Sequence, residues 1–229
     1  MTRWCIPPAQ NAAFVAAMED ILSVYAAPPD PARPLVCFDE GGKQLQGHQR
    51  PPQPAGPERP GREDYTYVRN GAANLFLACA PHLGWRQVWS TPQRTASDFA
   101  QAIRWLVDAA FPDAERIVLV TDNLNTHTPA AFYQTFAPAE ARRLVAKLEW
   151  HYTPKHGSWL NMAELELAVL SRQCLARRIP DRATLEREVQ TWSTQRNQAG
   201  VTVRWSFTID DARARLEEVY PVPVHDNYP

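Results

Sequence analysis

The chain has 229 residues, of which 45% are hydrophobic and 21% charged, a composition typical of a globular protein with a sizeable core. Its formal net charge of −1 excludes a nucleic-acid binder that relies on overall positive charge, so any phosphate-binding surface must be local or assisted by metal ions. No apolar run approaches the roughly 20 residues of a membrane span. The cysteines lack CxxC spacing, which predicts reduced thiols in a cytoplasmic protein rather than zinc ligands or disulfides. They are Cys5, Cys37, Cys79 and Cys174.

The N-terminal part of the chain predicts one amphipathic helix. Apolar residues recur at helical spacing from Phe14 to Tyr25, and four prolines between Pro28 and Pro34 end the pattern. We therefore assign residues 1–34 to an N-terminal linker and helix. The apolar start at Trp4-Cys5-Ile6 is what we expect of a domain boundary within a longer gene product.

Two short apolar runs each end in an aspartate, and the chain is organised around them. Ile117 to Val120 precede Asp122, and Leu35 to Phe38 precede Asp39. Runs of this kind indicate strands buried on both faces, and such sheets bind ligands beyond the carboxyl ends of their strands. If the two strands are neighbours, Asp39 and Asp122 meet at one edge. Converging carboxylates suit a hard divalent cation and therefore phosphate chemistry.

The segment between these strands predicts a meander of about three strands. Gly41-Gly42 favours a sharp turn, with a second strand beginning at 44–48, and the prolines of residues 50–61 indicate an extended loop. Asn70-Gly71 is typical of a hairpin turn. Further strands are predicted at 65–69, 74–80 and 85–89.

The remaining chain alternates helices with one more strand. Helical patterns cover residues 95–111 and 129–147, and Leu148 to Thr153 predict a strand. Ser158 is expected to cap a helix from Trp159 to Leu175. Later helices are predicted from Asp181 to Asn197 and from the capping box that begins at Thr208. The order predicts an α/β fold, with a mixed central sheet flanked by helices at 35–200 and a C-terminal extension at 201–229.

The helix after the last strand offers two candidates for a third carboxylate. Glu164 and Glu166 each lie about 80° from the centre of the apolar stripe, on opposite sides, at 100° per residue. Helical geometry alone does not choose between them.

Four motifs resemble the catalytic domain of DDE transposases with an RNase H-like fold, and more closely the insertion sequence 630 family, bacterial relatives of mariner transposases. The motifs are Cys37-Phe38-Asp39-Glu40, Tyr67-Val68-Arg69-Asn70-Gly71, Thr121-Asp122-Asn123-Leu124-Asn125-Thr126-His127 and Tyr152-Thr153-Pro154-Lys155-His156-Gly157-Ser158-Trp159-Leu160-Asn161-Met162-Ala163-Glu164. In that family the acidic residue follows an Asn-x-x motif, which selects Glu164. The resemblance thus implies a catalytic, metal-binding triad of Asp39, Asp122 and Glu164.

The resemblance also implies an activity and partners. It predicts an endonuclease that cleaves DNA and transfers strands in transposition, using magnesium or manganese, with two ions. Asp39 would bridge both ions, Asp122 would hold one and Glu164 the other. The partners implied are transposon ends, a TA target, a second copy of the chain and an upstream helix-turn-helix region. The location implied is the bacterial cytoplasm, at the nucleoid.

Five polar residues near the triad have two interpretations each. In one interpretation Asn123 and His127 position a phosphate or orient the Asp122 carboxylate. In the other they cap a loop through their side-chain hydrogen bonds. Lys155 and His156 contact a DNA backbone or lie on a solvated turn. Asn161 braces the turn that carries Glu164, or is an exposed helix residue.

Other interpretations of the whole chain stay open at this point. One is an RNase H-like nuclease that cleaves without strand transfer. Another is an inactive transposase remnant that binds a full-length partner. A basic run near a helix end either follows phosphates or forms a solvated face. It comprises Arg172, Arg177, Arg178 and Arg182.

Overall fold

The structure, a computed structural model, describes residues 9–222. It contains a five-stranded sheet in the order β3-β2-β1-β4-β5. The β1–β2 and β2–β3 pairs are antiparallel, whereas β1–β4 and β4–β5 are parallel. The predicted mixed sheet is therefore confirmed. The strands are β1 (Leu35–His48), β2 (Tyr67–Ala80), β3 (Trp85–Thr91), β4 (Ile117–Thr121) and β5 (Leu148–Tyr152).

Helices flank both faces of this sheet. They are α1 (Ala12–Ala26), α2 (Ala96–Trp105), α3 (Ala130–Thr135), α4 (Pro138–Ala146), α5 (Met162–Gln173), α6 (Arg182–Gln198) and α7 (Ile209–Arg215). A π-helical segment, Leu106–Ala110, extends α2 towards β4. Short 3-10 turns lie at Ser158–Leu160 and Glu217–Val219.

The core divides into two apolar layers because successive strand residues point to opposite faces. On β1, Cys37 belongs to the layer that packs under α1, α5 and α6, whereas Phe38 belongs to the layer under α2, α3 and α4. On β4, Val120 and Leu119 divide in the same way. Both faces of β4 are thus buried, as its continuous apolar run predicts.

Two predicted breaks in the meander were wrong. Gly41-Gly42 and the segment after it belong to one continuous strand, β1, and Asn70-Gly71 lies inside β2. At that point Leu45 of β1 opposes two residues of β2, because the register shifts between Gln44 and Gln46. Gly71 has φ of +97° there. The asparagine–glycine preference for positive φ therefore serves a β-bulge and not a hairpin turn.

The start of α5 also differs from the prediction. Ser158 begins a 3-10 turn, and the α-helix starts four residues later at Met162. Asn161 is its N-cap, with its side-chain oxygen accepting a hydrogen bond from the Ala163 N–H at 3.0 Å. The residue interpreted as a brace therefore defines where the helix begins.

Trp4-Cys5-Ile6 and residues 223–229 lie outside the described residues. The division at 34/35 and 200/201 stays a prediction, although apolar residues of α1 and α7 pack into the same layer as Cys37. Cys37, Cys79 and Cys174 are buried free thiols. Within residues 9–222, each helix is too short or too polar to cross a bilayer.

Candidate active site

Parallel pairing of β1 with β4 brings two aspartates to one edge of the sheet. Cys37 is paired with Val120, and Asp39 and Asp122 each follow two residues later. Both side chains line an open cleft of about 490 Å³ at the carboxyl end of β4, beside the middle of β1. The sequence predicted this convergence from the two apolar runs.

Asp39 lies in a crowded acidic environment. The pKa of Asp39 is raised to about 7. Burial is the largest cause, opposed by the hydrogen bond that Oδ1 accepts from the Glu40 N–H at 2.8 Å, and the charges of Asp122, Glu40 and Glu164 add to the rise. Four carboxyl groups therefore share this edge closely enough to repel one another, and a bound cation would relieve that repulsion.

His127 joins two of these carboxylates. Its Nδ1 lies 2.5 Å from Asp122 Oδ1, and its Nε2 lies 3.1 Å from Glu40 Oε2. Only 1% of the His127 side chain is exposed. Burial works to lower the pKa of His127, but the hydrogen bonds and charges of Asp122 and Glu40 outweigh it and raise the pKa to about 9. The imidazole is therefore protonated at neutral pH, and it donates a hydrogen bond to Asp122 and forms an ion pair with Glu40.

Aromatic packing fixes the His127 ring in this position. The Phe99 ring centroid is 4.5 Å away, and the Phe38 ring meets His127 edge-on at 5.7 Å. The Thr121 hydroxyl lies 3.2 Å from Nδ1. Because the ring is held on all sides, it fixes the direction of the Asp122 carboxylate that it contacts. The Asp122 Oδ2 atom makes no hydrogen bond within residues 9–222 and is left for another ligand.

The two glutamates of α5 have opposite environments. Glu164, in the first turn of the helix, is exposed and near Asp39. Glu166 is 2% exposed, with Oε2 3.2 Å from Arg86 Nε and Oε1 2.8 Å from Arg196 Nη2. The side chain of Glu166 is therefore committed to a buried ion cluster under the sheet, and Glu164 is the glutamate free to face the aspartates.

Asn161 ties the start of α5 to β1. Besides capping the helix, its Nδ2 donates to the carbonyl oxygen of Phe38 at 2.9 Å, one residue before Asp39. Asn161 is 1% exposed, so the interpretation as an exposed helix residue was wrong. This hydrogen bond sets the distance between the strand that carries Asp39 and the helix turn that carries Glu164.

A second cleft, of about 390 Å³, adjoins the first and shares Asp122 and Leu124 with it. Asn123, Lys155 and His156 line this cleft, and all three are exposed. The structure thus brings every predicted site residue to this edge of the sheet.

A tight turn presents Lys155 and His156 to the second cleft. The Gly157 N–H donates to the Pro154 carbonyl at 2.8 Å, and His156 has φ of +66°. A Cβ atom on Gly157 would lie 2.5 Å from Pro154 Cγ, so only glycine fits there without a shift of the loop.

Sequence analysis did not single out two groups at the first cleft. Glu40 could have been found, because strand alternation sends its side chain to the face opposite that of Asp39, where His127 lies. The Arg94 guanidinium, 3.6 Å from Glu40 Oε1, had no sequence signal. Three arginines of the basic run at 172–182 form ion pairs with acidic neighbours. These pairs are Arg177 with Glu188, Arg178 with Glu63 and Arg182 with Glu186.

Among the described residues, one set of side chains is spaced closely enough to hold a metal ion. Glu40, Asp122 and His127 each offer one atom within 4.8 Å of the others. His127 must be neutral to ligate a metal, and both of its nitrogens already face carboxylates. We therefore interpret this set as a salt bridge. The triad of Asp39, Asp122 and Glu164 does not have that spacing and stays a prediction, although the charges of Asp122 and Glu164 contribute to the raised pKa of Asp39.

Comparison with known proteins gives a family match. The sequence profile of the DDE superfamily endonuclease family matches residues 34–186. No curated protein sequence matches the chain.

Several solved structures share the fold. The mariner Mos1 paired end complex with Mg is 17% identical, with a TM-score of 0.59, over 97% of this chain and 67% of the other. The Mos1 mariner paired end complex with Mn is 16% identical, with a TM-score of 0.56, over 88% of this chain and 62% of the other. The Mos1 Strand Transfer Complex is 15% identical, with a TM-score of 0.56, over 95% of this chain and 63% of the other. The chain thus spans between 62% and 67% of the length of these neighbours.

Proposed function

Because this chain belongs to the DDE superfamily endonuclease family, we propose that it is the catalytic domain of a transposase, which cleaves DNA strands and joins them to a target. The neighbours in fold are mariner Mos1 complexes with paired transposon ends and with a strand-transfer product, which supports transposition over cleavage alone. The insertion sequence 630 family, a subgroup implied by the sequence motifs, is consistent with both findings.

One observation carries this proposal: Asp39 and Asp122 lie side by side, each two residues beyond the parallel pair Cys37–Val120, and they line one cleft together with Glu40. Burial, with a smaller contribution from the neighbouring carboxylates, raises the pKa of Asp39 to about 7. Acidic side chains that crowd one cleft are costly without a compensating cation. Oxygen ligands of this kind suit magnesium or manganese, and the Mos1 neighbours were solved with each metal.

We assign the cation site to Asp39, Asp122 and Glu164 and propose that it holds two ions. A bound divalent cation would supply positive charge beside the phosphate oxygens and lower the pKa of a water or hydroxyl nucleophile. His127 and Glu40 orient the Asp122 carboxylate. Asn161 positions Glu164 relative to Asp39 through the Phe38 carbonyl. Asn123, Lys155 and His156 line the path beside Asp122, where they contact the DNA backbone.

The partners follow from the same family and fold. We expect DNA carrying transposon ends and a TA target, a second copy of the chain, and a helix-turn-helix region that reads the ends. The location expected is the bacterial cytoplasm, at the nucleoid.

Metal-dependent nicking of supercoiled plasmid tests the proposal. The wild-type chain is expected to nick with Mg²⁺ or Mn²⁺, and Asp122→Ala and Glu164→Gln are expected to abolish nicking. Glu115→Gln is a matched control, because Glu115 is exposed and precedes β4 at the opposite end of that strand. Nicking that survives both site substitutions, or needs no metal, would contradict the assignment.

Strand transfer separates a transposase from the alternative, an RNase H-like nuclease. An oligonucleotide with a free 3′-hydroxyl at a transposon end is expected to join to plasmid at TA. Cleavage without any joined product would favour the nuclease. Inactivity, together with no rise in Tm on adding Mn²⁺, would favour the inactive remnant.

A further inference from the structure

Arg94 lies in the loop between β3 and α2 and lines the same cleft as Asp39 and Asp122. The backbone on either side of it is held in place. Thr91 donates its hydroxyl proton to the Gln93 carbonyl, and Thr95 begins α2 with a capping box that uses Asp98. The loop therefore presents the Arg94 side chain to the cleft from a fixed base.

The guanidinium of Arg94 is largely uncommitted. It is 61% exposed, and within residues 9–222 it makes no hydrogen bond; its nearest acidic atom, Glu40 Oε1, is 3.6 Å from Nη1. Arg143, by contrast, donates hydrogen bonds to Glu140 and to Asp108. Arg94 thus retains its planar set of five N–H donors, which matches the oxygens of a phosphate.

A second cation lies on the other side of Asp122. Asp122 and Leu124 line both clefts, and among the described lining residues Arg94 is the one arginine or lysine of the first cleft and Lys155 that of the second. A strand laid across Asp122 would therefore meet one cation in each cleft. The rest of this edge is acidic and would repel a phosphate. The backbone of a DNA strand is therefore expected to bind next to Arg94 and Lys155.

We propose that Arg94 binds a DNA backbone phosphate on the opposite side of Asp122 from Lys155, so that the strand is held at two points across the carboxylates. This inference rests on the proposed function, since it takes DNA as the substrate. Arg94 is a positioning residue. It holds the strand so that the phosphate between Arg94 and Lys155 lies at the carboxylates of the proposed cation site.

The salt dependence of DNA binding tests the inference. We would measure the affinity of a mixed-sequence duplex from about 50 to 200 mM salt, with Ca²⁺ in place of Mg²⁺. Loss of one phosphate contact reduces the slope of log K against log salt by about 0.9. Arg94→Gln is expected to show this reduction, and Arg94→Lys is expected to keep the wild-type slope. Arg142→Gln is the matched control, because Arg142 is exposed and lines neither cleft.

The possible outcomes separate the inference from the proposed function. An unchanged slope in Arg94→Gln would overturn the inference, and a shift only in the Mn²⁺ concentration for half-maximal nicking would show that Arg94 merely neutralises Glu40. No duplex binding by the wild type would also overturn it. Plasmid nicking by the wild type, measured separately with Mn²⁺, decides the proposed function whichever slope is found.

Discussion

Two charge clusters in this molecule draw on the same helix and carry an excess of opposite sign. In the arginine cluster, Glu166 is buried between Arg86 and Arg196, and Arg86 also donates to the carbonyl oxygens of Gly84 and Val201. Two residues earlier, the exposed Glu164 faces the edge where the carboxylates outnumber the cations. The arginine cluster joins β3, α5 and α6, whereas the acidic edge leaves oxygen atoms available to a ligand. An excess of negative charge beside an open cleft, rather than burial alone, distinguishes the candidate site.

The largest effect is expected from breaking the arginine cluster. Glu166→Gln leaves two arginines without their counter-ion, and breaking a buried ion pair of this kind costs about 3–5 kcal/mol of unfolding free energy. Chemical denaturation measures the loss. Glu164→Gln, on the same helix, is the control and should change the unfolding free energy by less than about 1 kcal/mol. Equal losses in both variants would mean that the two glutamates do not differ in role.

Asp39 should make the metal-free protein less stable as pH rises. Its pKa is raised from 3.8 to about 7, so the folded state holds a proton that the unfolded state releases between these values. Stability therefore falls from about pH 4 to about pH 7, by roughly 2–4 kcal/mol. Asp39→Asn should flatten this part of the profile and stabilise the protein at pH 8. A profile that rises with pH in both proteins would show that the pKa of Asp39 is not raised in the fold.

His127 should add a loss of stability at higher pH. Its pKa rises from 6.5 to about 9, so the stabilisation is fully present below pH 6.5 and disappears as pH rises through 9. The expected loss is roughly 1–3 kcal/mol. Thermal unfolding of His127→Gln, followed from pH 6 to pH 10, should lack this loss. A wild-type profile that is flat over the same range would show that the imidazole is not protonated in the fold.

The smallest expected effect concerns Asn161. Asn161→Ala removes the cap of α5 and the hydrogen bond to the Phe38 carbonyl, which together should cost about 1–2 kcal/mol. Asn11→Ala removes a similar cap from α1, at about 1 kcal/mol. Asn161→Ala should also slow metal-dependent nicking, whereas Asn11→Ala should not, because Asn161 connects α5 to β1 and Asn11 does not. Equal nicking by both variants would show that the helix start does not position Glu164.

Much of this edge could be predicted from local patterns. Apolar runs indicate buried strands, and a carboxylate after such a run is expected where the strand ends, which led to Asp39 and Asp122. Asp122 does follow the end of β4, whereas β1 continues past Asp39 to His48. Helix periodicity gave α5 but could not choose between Glu164 and Glu166. Their difference depends on Arg86 and Arg196, which are distant in sequence and near only once the chain has folded.

Other features depended on ambiguities that the sequence does not resolve. The Asn70-Gly71 pair favours positive φ, which a hairpin turn and a β-bulge both require, so the local signal cannot say which forms. Ser158 and Asn161 are both good helix caps, and the choice of Asn161 follows from its contact with β1. Arg94 belongs to a loop without any periodic pattern.

The hydrogen bond from Asn161 to Phe38 spans 123 positions in the chain. The first and third carboxylates of the proposed site are therefore brought together by a contact that becomes available only after residue 161 has been synthesised. A ribosome-bound chain that has emerged only as far as β5 lacks the helix that carries Glu164. The candidate nuclease would consequently remain inert towards nearby DNA for most of its own translation, and would gain its site only once α5 docks against β1.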